Sequence, residues 1–406
     1  MKKALSLSLI LLALSTACDN KSTTPPGEVV PIMITTPDNG DRLTDSQFIQ
    51  AVAGAGYHFT KVDFYIDTVL VGTDSTAPYQ YFWNIFTYDP GVVHPLYAVA
   101  DSGDNDYMSE VILVTLDFES GFSFAGSYQP GSQNALGITN YGNVLFISEG
   151  DAGVEMLDIR VKTAPQFLSR FDTPGQALHA DILYPLVIIA DRDGGLRSAD
   201  FSEVDTMISD GVFTSQSLAI DVAVSDSFIF LAENDGFTVL EHDGNGFTSL
   251  GRRAFPQDIL NYVVAHNDTA YVVGNNGFYI IDSQRRLVGS INNLNLAQAV
   301  AMADTFAFIA NGNDGVIALS IEDRTRPRFL ARFNPGQIMA AVDAGDGVLF
   351  AGSSNGTVYA LNYSTPDTLI ELGRYTASNL LEEIDYESNY LYIAARTNVD
   401  ILRFVR

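Results

Sequence analysis

The sequence predicts an all-β protein in which a sandwich precedes a ring of repeated sheets, and three observations carry that prediction. Val, Ile, Phe and Tyr are prominent in an apolar fraction of 47%, against only 17% charged residues, a composition suited to pleated, half-buried surfaces. Residues 29–118 break into short runs that alternate apolar and polar side chains, the period of strands buried on one face. From about residue 120 a unit of about forty residues recurs, and a repeat of that length outranks any local signal. With 406 residues the chain can bury a large interior in more than one domain.

The first seventeen residues have the zones of an export signal: Lys2 and Lys3, an apolar run from Ala4 to Leu14, then Ser15-Thr16-Ala17. That run is too short to span a bilayer as a mature helix. Cys18, which follows, is the only cysteine, so no intrachain disulfide forms. Ser15-Thr16-Ala17-Cys18 resembles the lipobox of bacterial lipoproteins, with Leu14 one place further out than the family pattern. The resemblance implies a diacylglycerol on Cys18 and cleavage before it; two or three acyl chains anchor a protein stably. Asp19 keeps lipoproteins at the inner membrane in some bacteria, a rule that does not travel between phyla. The expected location is the lipid-anchored cell envelope, at the outer membrane or cell surface in preference to the inner membrane. Residues 18–28 form a polar tether broken by Pro25-Pro26-Gly27.

Seven short strands are expected in residues 29–118: Ile32–Ile34, Phe48–Val52, Val62–Ile66, Val69–Val71, Tyr79–Trp83, Leu96–Ala100 and Val111–Leu116. That density fits an antiparallel sandwich. Lys61-Val62-Asp63-Phe64-Tyr65-Ile66-Asp67, Leu70–Asp74, Ala77-Pro78-Tyr79 and Tyr97–Asp101 resemble a bacterial immunoglobulin-like domain. The resemblance implies a spacer or adhesive module, with Trp83 as a core anchor between two sheets.

In the repeated region, 119–406, a strand, a tight turn and a second strand recur, with Gly153, Gly195, Gly236, Gly277, Gly315, Gly356 and Asn398 as landmarks spaced 42, 41, 41, 38, 41 and 42 apart. Seven such units have the period of β-propeller blades. Gly or Asn at each landmark is expected to supply the positive φ of a tight hairpin. The aliphatic and aromatic residues ahead of them, such as Ile188-Ile189 and Tyr271-Val272-Val273, are expected to fill the contacts between blades.

Phe124–Gly131 aligns with Phe329–Gly336 of the fifth unit and resembles Phe167–Gly175 of the first, while nothing follows Phe404 that could form an outer strand. The expected fold is therefore an immunoglobulin-like β-sandwich followed by a seven-bladed β-propeller closed by pairing of its N- and C-terminal strands, an arrangement that hides sheet edges. Gly153–Ile159 with Pro165–Leu168, and Asp314–Leu319 with Arg326–Leu330, are similar to the LVIVP repeats of bacterial and archaeal surface proteins. That resemblance implies an extracytoplasmic propeller.

The five histidines are dispersed without metal-binding spacing, and no nucleophile elbow, phosphate loop or dinucleotide fingerprint is present. No catalytic residue, metal or cofactor is expected. Carboxylates are the plentiful reactive groups. Asp151, Asp193, Asp235 and Asp314 sit at the blade turns and are expected to ring one end of the channel, with Asp181, Asp221, Asp343 and Asp385 added from the innermost strands. Together they form a candidate ligand or cation face, set against the simpler reading that Asp suits turns because it caps backbone donors. Asp191-Arg192-Asp193-Gly194 and Asp101–Asp106 alternate oxygen ligands but lack the terminal Glu of a calcium loop.

The net charge of −27 repels nucleic acid and anionic lipid headgroups. Membrane contact is thus expected only through the lipidated N-terminus, and a protein or glycan partner on the propeller face. The function expected is a non-catalytic envelope lipoprotein that presents the propeller for binding or scaffolding. Two alternatives stand beside it: an envelope enzyme acting on polysaccharide through carboxylates at the propeller mouth, and a propeller-type outer-membrane assembly factor.

Overall fold

The computed structural model describes residues 30–44, 46–83, 85, 88, 90–117, 121–203, 205–244, 246–364, 367–377 and 379–405. The expected signal segment, Cys18 and the tether lie outside them. Among the described residues the chain is built from strands, and no helix is long and apolar enough to cross a membrane. They fall into two compact units.

The first unit holds β1 (Ile32–Thr36), β2 (Arg42–Leu43), β3 (Gln47–Ala53), β4 (Lys61–Ile66), β5 (Val69–Asp74), β6 (Tyr79–Trp83), β7 (Val93–Asp101), β8 (Asp106–Met108) and β9 (Ile112–Leu116). One sheet runs β1-β3-β6 and the other β2-β9-β7-β4-β5, with β8 also on β7. All seven expected strands are present, and β2 and β8, too short to show a period, are additional. Alternation decides the core: Val62, Phe64 and Ile66 of β4 are buried against Ile49, Ala51, Leu96 and Ala98, and Trp83 is 1% exposed among them. A one-residue slip of β4 would turn Lys61, Asp63 and Tyr65 inward.

The second unit, Gly121–Phe404, contains seven four-stranded sheets. Sheet I runs through Gly137–Tyr141, Val144–Ser148, Val154–Asp158 and Gln166–Phe171 in that spatial order. Sheets II to VI repeat it, starting from the strands His179–Leu183, Ala219–Val224, Leu260–His266, Ala299–Ala303 and Met339–Gly345. Sheet VII takes Glu383–Glu387, Tyr390–Ala395 and Asn398–Val405, and its fourth strand is β10, Gly121–Tyr128, from the other end of the unit. The first, inner strand of each sheet packs on the inner strand of the next, and that of sheet VII packs on that of sheet I. Backbone bridges repeat the pattern: Gly150 to Ala177, Arg192 to Ala219, Gly312 to Met339, and Ala135 to Arg396 between sheets I and VII.

Continuous apolar runs arise because the second and third strands of each sheet are buried on both faces. Leu145 and Ile147 of sheet I pack on Tyr392, Ala394 and Ile401 of sheet VII, while Phe146 between them packs on Val187, Ile189 and Phe201 of sheet II. In sheets I to VI a bulge interrupts the pairing of the third and fourth strands, which increases the local twist.

The landmark residues divide into two groups. Gly153, Gly195, Gly315 and Gly356 have positive φ as expected, and at Gly153 a Cβ would also lie 2.1 Å from the Phe171 carbonyl oxygen. Gly236, Gly277 and Asn398 are instead the first residues of their strands, which corrects the expectation for them. The turns there are two residues long, so the landmark is already paired, Gly236 with Glu233 and Asn398 with Ala395. At the last turn the positive φ falls on Arg396.

Phe122 of β10 holds the joint between the two ends of the unit, packing on Phe404 at 4.9 Å, Phe350 at 6.1 Å and Tyr375 at 6.4 Å. Phe122→Ala is expected to cost about 3 kcal/mol, the low end for a phenylalanine in a packed cluster. Urea unfolding should show the loss, and an unchanged midpoint would mean that β10 adds nothing to the unit.

Candidate functional site

The strand register defines two rings of side chains around the axis on which the inner strands converge. Gly137, His179, Asp221, Tyr262, Ala299, Ala341 and Glu383 each pair with the last or next-to-last residue of the second strand of their sheet. Two residues further on, and so on the same strand face, come Thr139, Asp181, Ala223, Val264, Ala301, Asp343 and Asp385. Acidic side chains gather on sheets II, III, VI and VII. Sheets IV and V contribute Tyr262, Val264 and alanines. Sequence spacing suggests that Asp181 and Asp221 are equivalent, but a bulge between Ala219 and Asp221 adds a residue to the inner strand of sheet III. Asp221 is thereby placed in the ring of His179.

The carboxylates are held by backbone donors. The Asp181 carboxylate accepts from its neighbour Ile182 N–H at 2.7 Å and from Val224 N–H of sheet III at 2.7 Å. Asp221 accepts from Val222 N–H at 2.8 Å and from Val263 N–H of sheet IV at 2.7 Å. Asp343 does the same with Ala344 and with Tyr386 of sheet VII, at 2.8 and 2.7 Å. Asp385 of sheet VII accepts from Asn140 N–H of sheet I at 2.6 Å. At the matching place on sheet I the Thr139 hydroxyl donates to the Ala180 carbonyl at 2.6 Å. An inner strand has one edge with no ladder partner, and unpaired buried N–H groups are costly; each of these side chains reaches across to satisfy the next strand's edge.

Glu383 is the hub of the upper ring. It accepts from Ile138 N–H of sheet I and the Tyr262 hydroxyl of sheet IV, each at 2.7 Å, and lies 3.2 Å from His179 Nδ1 of sheet II. The His179 and Tyr262 rings meet edge to face at 5.5 Å. This group lies between two cavities, both lined by Tyr262 and Glu383. One, of about 240 Å³, is lined also by Leu136, Leu178, Asn261 and Glu382 at the end where the inner strands begin. The other, of about 300 Å³, is lined by Asp181, Asp221, Asp343 and Asp385.

Burial governs the titration of these groups. It opposes charge on His179, but Glu383 and then Asp221 overcome it and raise the imidazole to about 9. Desolvation first of all raises Asp181 and Asp343 to about 6 and Asp221 to about 7, and it holds Asp385 well above the usual carboxylate range.

The eight candidate aspartates therefore form two sets. Asp181, Asp221, Asp343 and Asp385 line one cavity. Asp151, Asp193, Asp235 and Asp314 lie on turns between second and third strands and line neither channel cavity, which corrects the expectation of a single ring. The reason is geometric, since a turn after the second strand stands one strand away from the axis. Asp151 accepts from the Gln176 amide at 2.9 Å, and Asp235 pairs with Arg252. Of the two calcium-like segments, Asp191 is fully buried, accepting from Gly175 N–H at 3.0 Å and pairing with Arg197 at 2.9 Å. Asp101 bonds Gly103 N–H at 2.6 Å. Among the described residues no three His, Cys, Asp or Glu side chains converge as a metal site.

Sequence reasoning missed Glu383, His179 and Tyr262 as a group. Their signal was local: His179-Ala180-Asp181 and Glu383-Ile384-Asp385 each place two polar groups on one face of an otherwise apolar inner strand. It also missed buried acids at the ends of second strands. Glu149 is raised to about 7, by burial first, and pairs with Arg170; Glu233 pairs with Arg252.

Residues 32–106 match the bacterial Ig domain family. No curated protein matches the chain. Among solved structures it is similar to BamB from Moraxella catarrhalis, at 12% identity and a TM-score of 0.52, over 70% of this chain and 100% of that one. It is similar to the WD40 β-propeller domain of Doa1 at 10% identity and a TM-score of 0.58, over 70% and 97% of the two chains. The Neurospora crassa Pan2 WD40 domain gives 10% and 0.58, over 71% and 96%. At such identities the likeness shows the fold alone: the second unit is propeller-like.

The raised groups fix the sign of a pH dependence. For Asp181, Asp221, Asp343 and Glu149 the folded chain keeps protons that the unfolded chain releases near pH 4. The stability they contribute is whole below that value and is lost as pH rises through 6 and 7. His179 contributes stability that is whole below about 6.5 and is lost as pH rises through 9. Thermal unfolding of the propeller-like unit should thus fall by several degrees between pH 5 and pH 9. Asp221→Asn should flatten the lower part of that profile and His179→Gln the upper part; variants with the unaltered slope would show that the channel groups do not titrate in this range.

Proposed function

We propose that the chain is a non-catalytic bacterial envelope lipoprotein, anchored through Cys18, whose seven sheets close into a β-propeller that binds or scaffolds a partner, with the Ig-like domain as spacer. The observation that carries this reading is the commitment of the channel carboxylates: Asp181, Asp221 and Asp343 each spend both oxygens on backbone N–H groups. A general acid or nucleophile needs a free oxygen aimed at substrate, so these groups serve the architecture, and the polysaccharide-enzyme alternative has less to stand on.

The closed seven-bladed reading is supported by β10 in sheet VII and by the bridge from Arg396 to Ala135, which matches those between other sheets. The envelope reading is supported by the export-signal pattern before Cys18, by the bacterial Ig domain match and by the likeness to a bacterial propeller structure. The LVIVP-like repeats point the same way. An outer-membrane assembly role adds only the likeness to BamB and is the second reading.

The test is photocrosslinking in the bacterial host, with a photoreactive residue placed in turn on the exposed loops of both ends of the propeller, together with fractionation of Cys18→Ala. The wild-type chain should partition with membranes and give a discrete adduct, while Cys18→Ala should leave the membrane fraction and lose the adduct. Equal membrane partition of both chains would refute the lipid anchor, and no adduct from any loop would refute the scaffold.

A further inference from the structure

One position recurs just ahead of every inner strand, on the residue before a side chain that is at most 2% exposed: Ala135, Ala177, Ala219, Leu260, Ala297, Met339 or Leu381. On five consecutive sheets, III to VII, the residue at that position is apolar: Leu218, Ile259, Leu296, Ile338 and Leu380. Ile259, Leu296, Ile338 and Leu380 are 44%, 46%, 46% and 51% exposed. The backbone sets the equivalence, since the carbonyls of Leu218, Ile259 and Ile338 accept from Asn234, Asn275 and Ser354 N–H, each the first residue after a second strand. On sheets I and II the position is polar, Asn134 and Gln176.

Single exposed aliphatic side chains need no explanation, but an apolar arc around one mouth of a channel does. Nothing in the local fold requires it, because the buried residue that follows already seals each joint. The turns that carry Asp151, Asp193, Asp235 and Asp314 lie at the same end, bridged to the lead-ins of the inner strands as Gly150 is to Ala177 and Arg192 to Ala219. Asp235 and Asp314 thus stand on the turns of two of these five sheets, Asp151 and Asp193 stand on the two sheets beside the arc and share a surface pocket with Leu218, and Arg192 and Arg396 at this end are engaged with Gln176 and Glu382.

We propose that this end of the propeller docks a polypeptide segment whose apolar side chains cover the arc from Leu218 to Leu380 and whose lysines or arginines meet the acidic turns. The inference rests on the binding reading above and names its face and its partner's chemistry. A second copy of the chain does not fit, because each copy carries a net charge of −27 and like fields repel. An anionic membrane surface is excluded by the same sign.

The experiment measures binding of three fluorescent 12-residue peptides to the purified full chain: one mixing Leu with Lys, one with Glu in place of Lys, and one with Ser in place of Leu. The Leu/Lys peptide should bind at least tenfold more tightly than the other two. Ile259→Ser/Ile338→Ser, which leaves the charge unaltered, should weaken it at least tenfold. Tyr184→Ser, at a 59% exposed residue on the opposite end, should leave it unchanged. Equal binding of the Ser/Lys peptide, or of the double variant, would overturn the inference; so would equal loss in Tyr184→Ser. If the in-cell adduct persists while the double variant binds normally, only the arc is wrong; absence of any adduct defeats the scaffold reading itself.

Discussion

The unpaired edge of the inner strand is the constraint on which the rest of the propeller-like unit depends. The inner strand stands at the end of each sheet, so its backbone ladder is complete on one side only. Short carboxylate side chains solve this by bonding the strand that carries them and the next one at once. Asp181, Asp221 and Asp343 do so across three of the joints, and Asp385 bonds the next strand across the joint between sheets VII and I. Glu383 adds a second bond at that last joint.

This solution has an electrostatic consequence. Bridging carboxylates are buried ones, and burial raises their pKa values because a desolvated charge is expensive. Among the described residues that line the two cavities His179 is the one basic side chain, and Glu383 lies 3.2 Å from its Nδ1. The channel is thus an acid-rich interior in which Asp181, Asp221 and Asp343 bond backbone N–H groups through both oxygens. The asymmetry follows from the same source: sheets IV and V carry no channel carboxylate, and there the Asn261 amide donates to the Ala297 carbonyl at 2.7 Å instead.

Inner-strand carboxylates of the propeller-like unit are committed to its own architecture, and the docking proposed above is placed at one end of it. The turns and lead-ins there are tied by single backbone bridges, such as Gly150 to Ala177 and Arg192 to Ala219, while side chains such as Ile259 and Ile338 stay exposed. Such exposed side chains are little constrained by the packing between sheets, and the apolar residues from Leu218 to Leu380 are placed there.

The sequence by itself determined the strand content, the forty-residue repeat and the alternation that separates Val62, Phe64 and Ile66 from Lys61, Asp63 and Tyr65, because period-two burial is written in adjacent residues. It also picked out Asp181, Asp221, Asp343 and Asp385 as inner-strand acids. Only the tertiary structure decided what they do. The hub at Glu383 joins residues 121 and 204 positions apart, and the bulge before Asp221 moves it into the ring of His179, a shift of register that no residue spacing records. The apolar arc was hidden for the same reason, since an isolated Ile or Leu beside a turn carries no period until seven sheets bring its equivalents around one mouth.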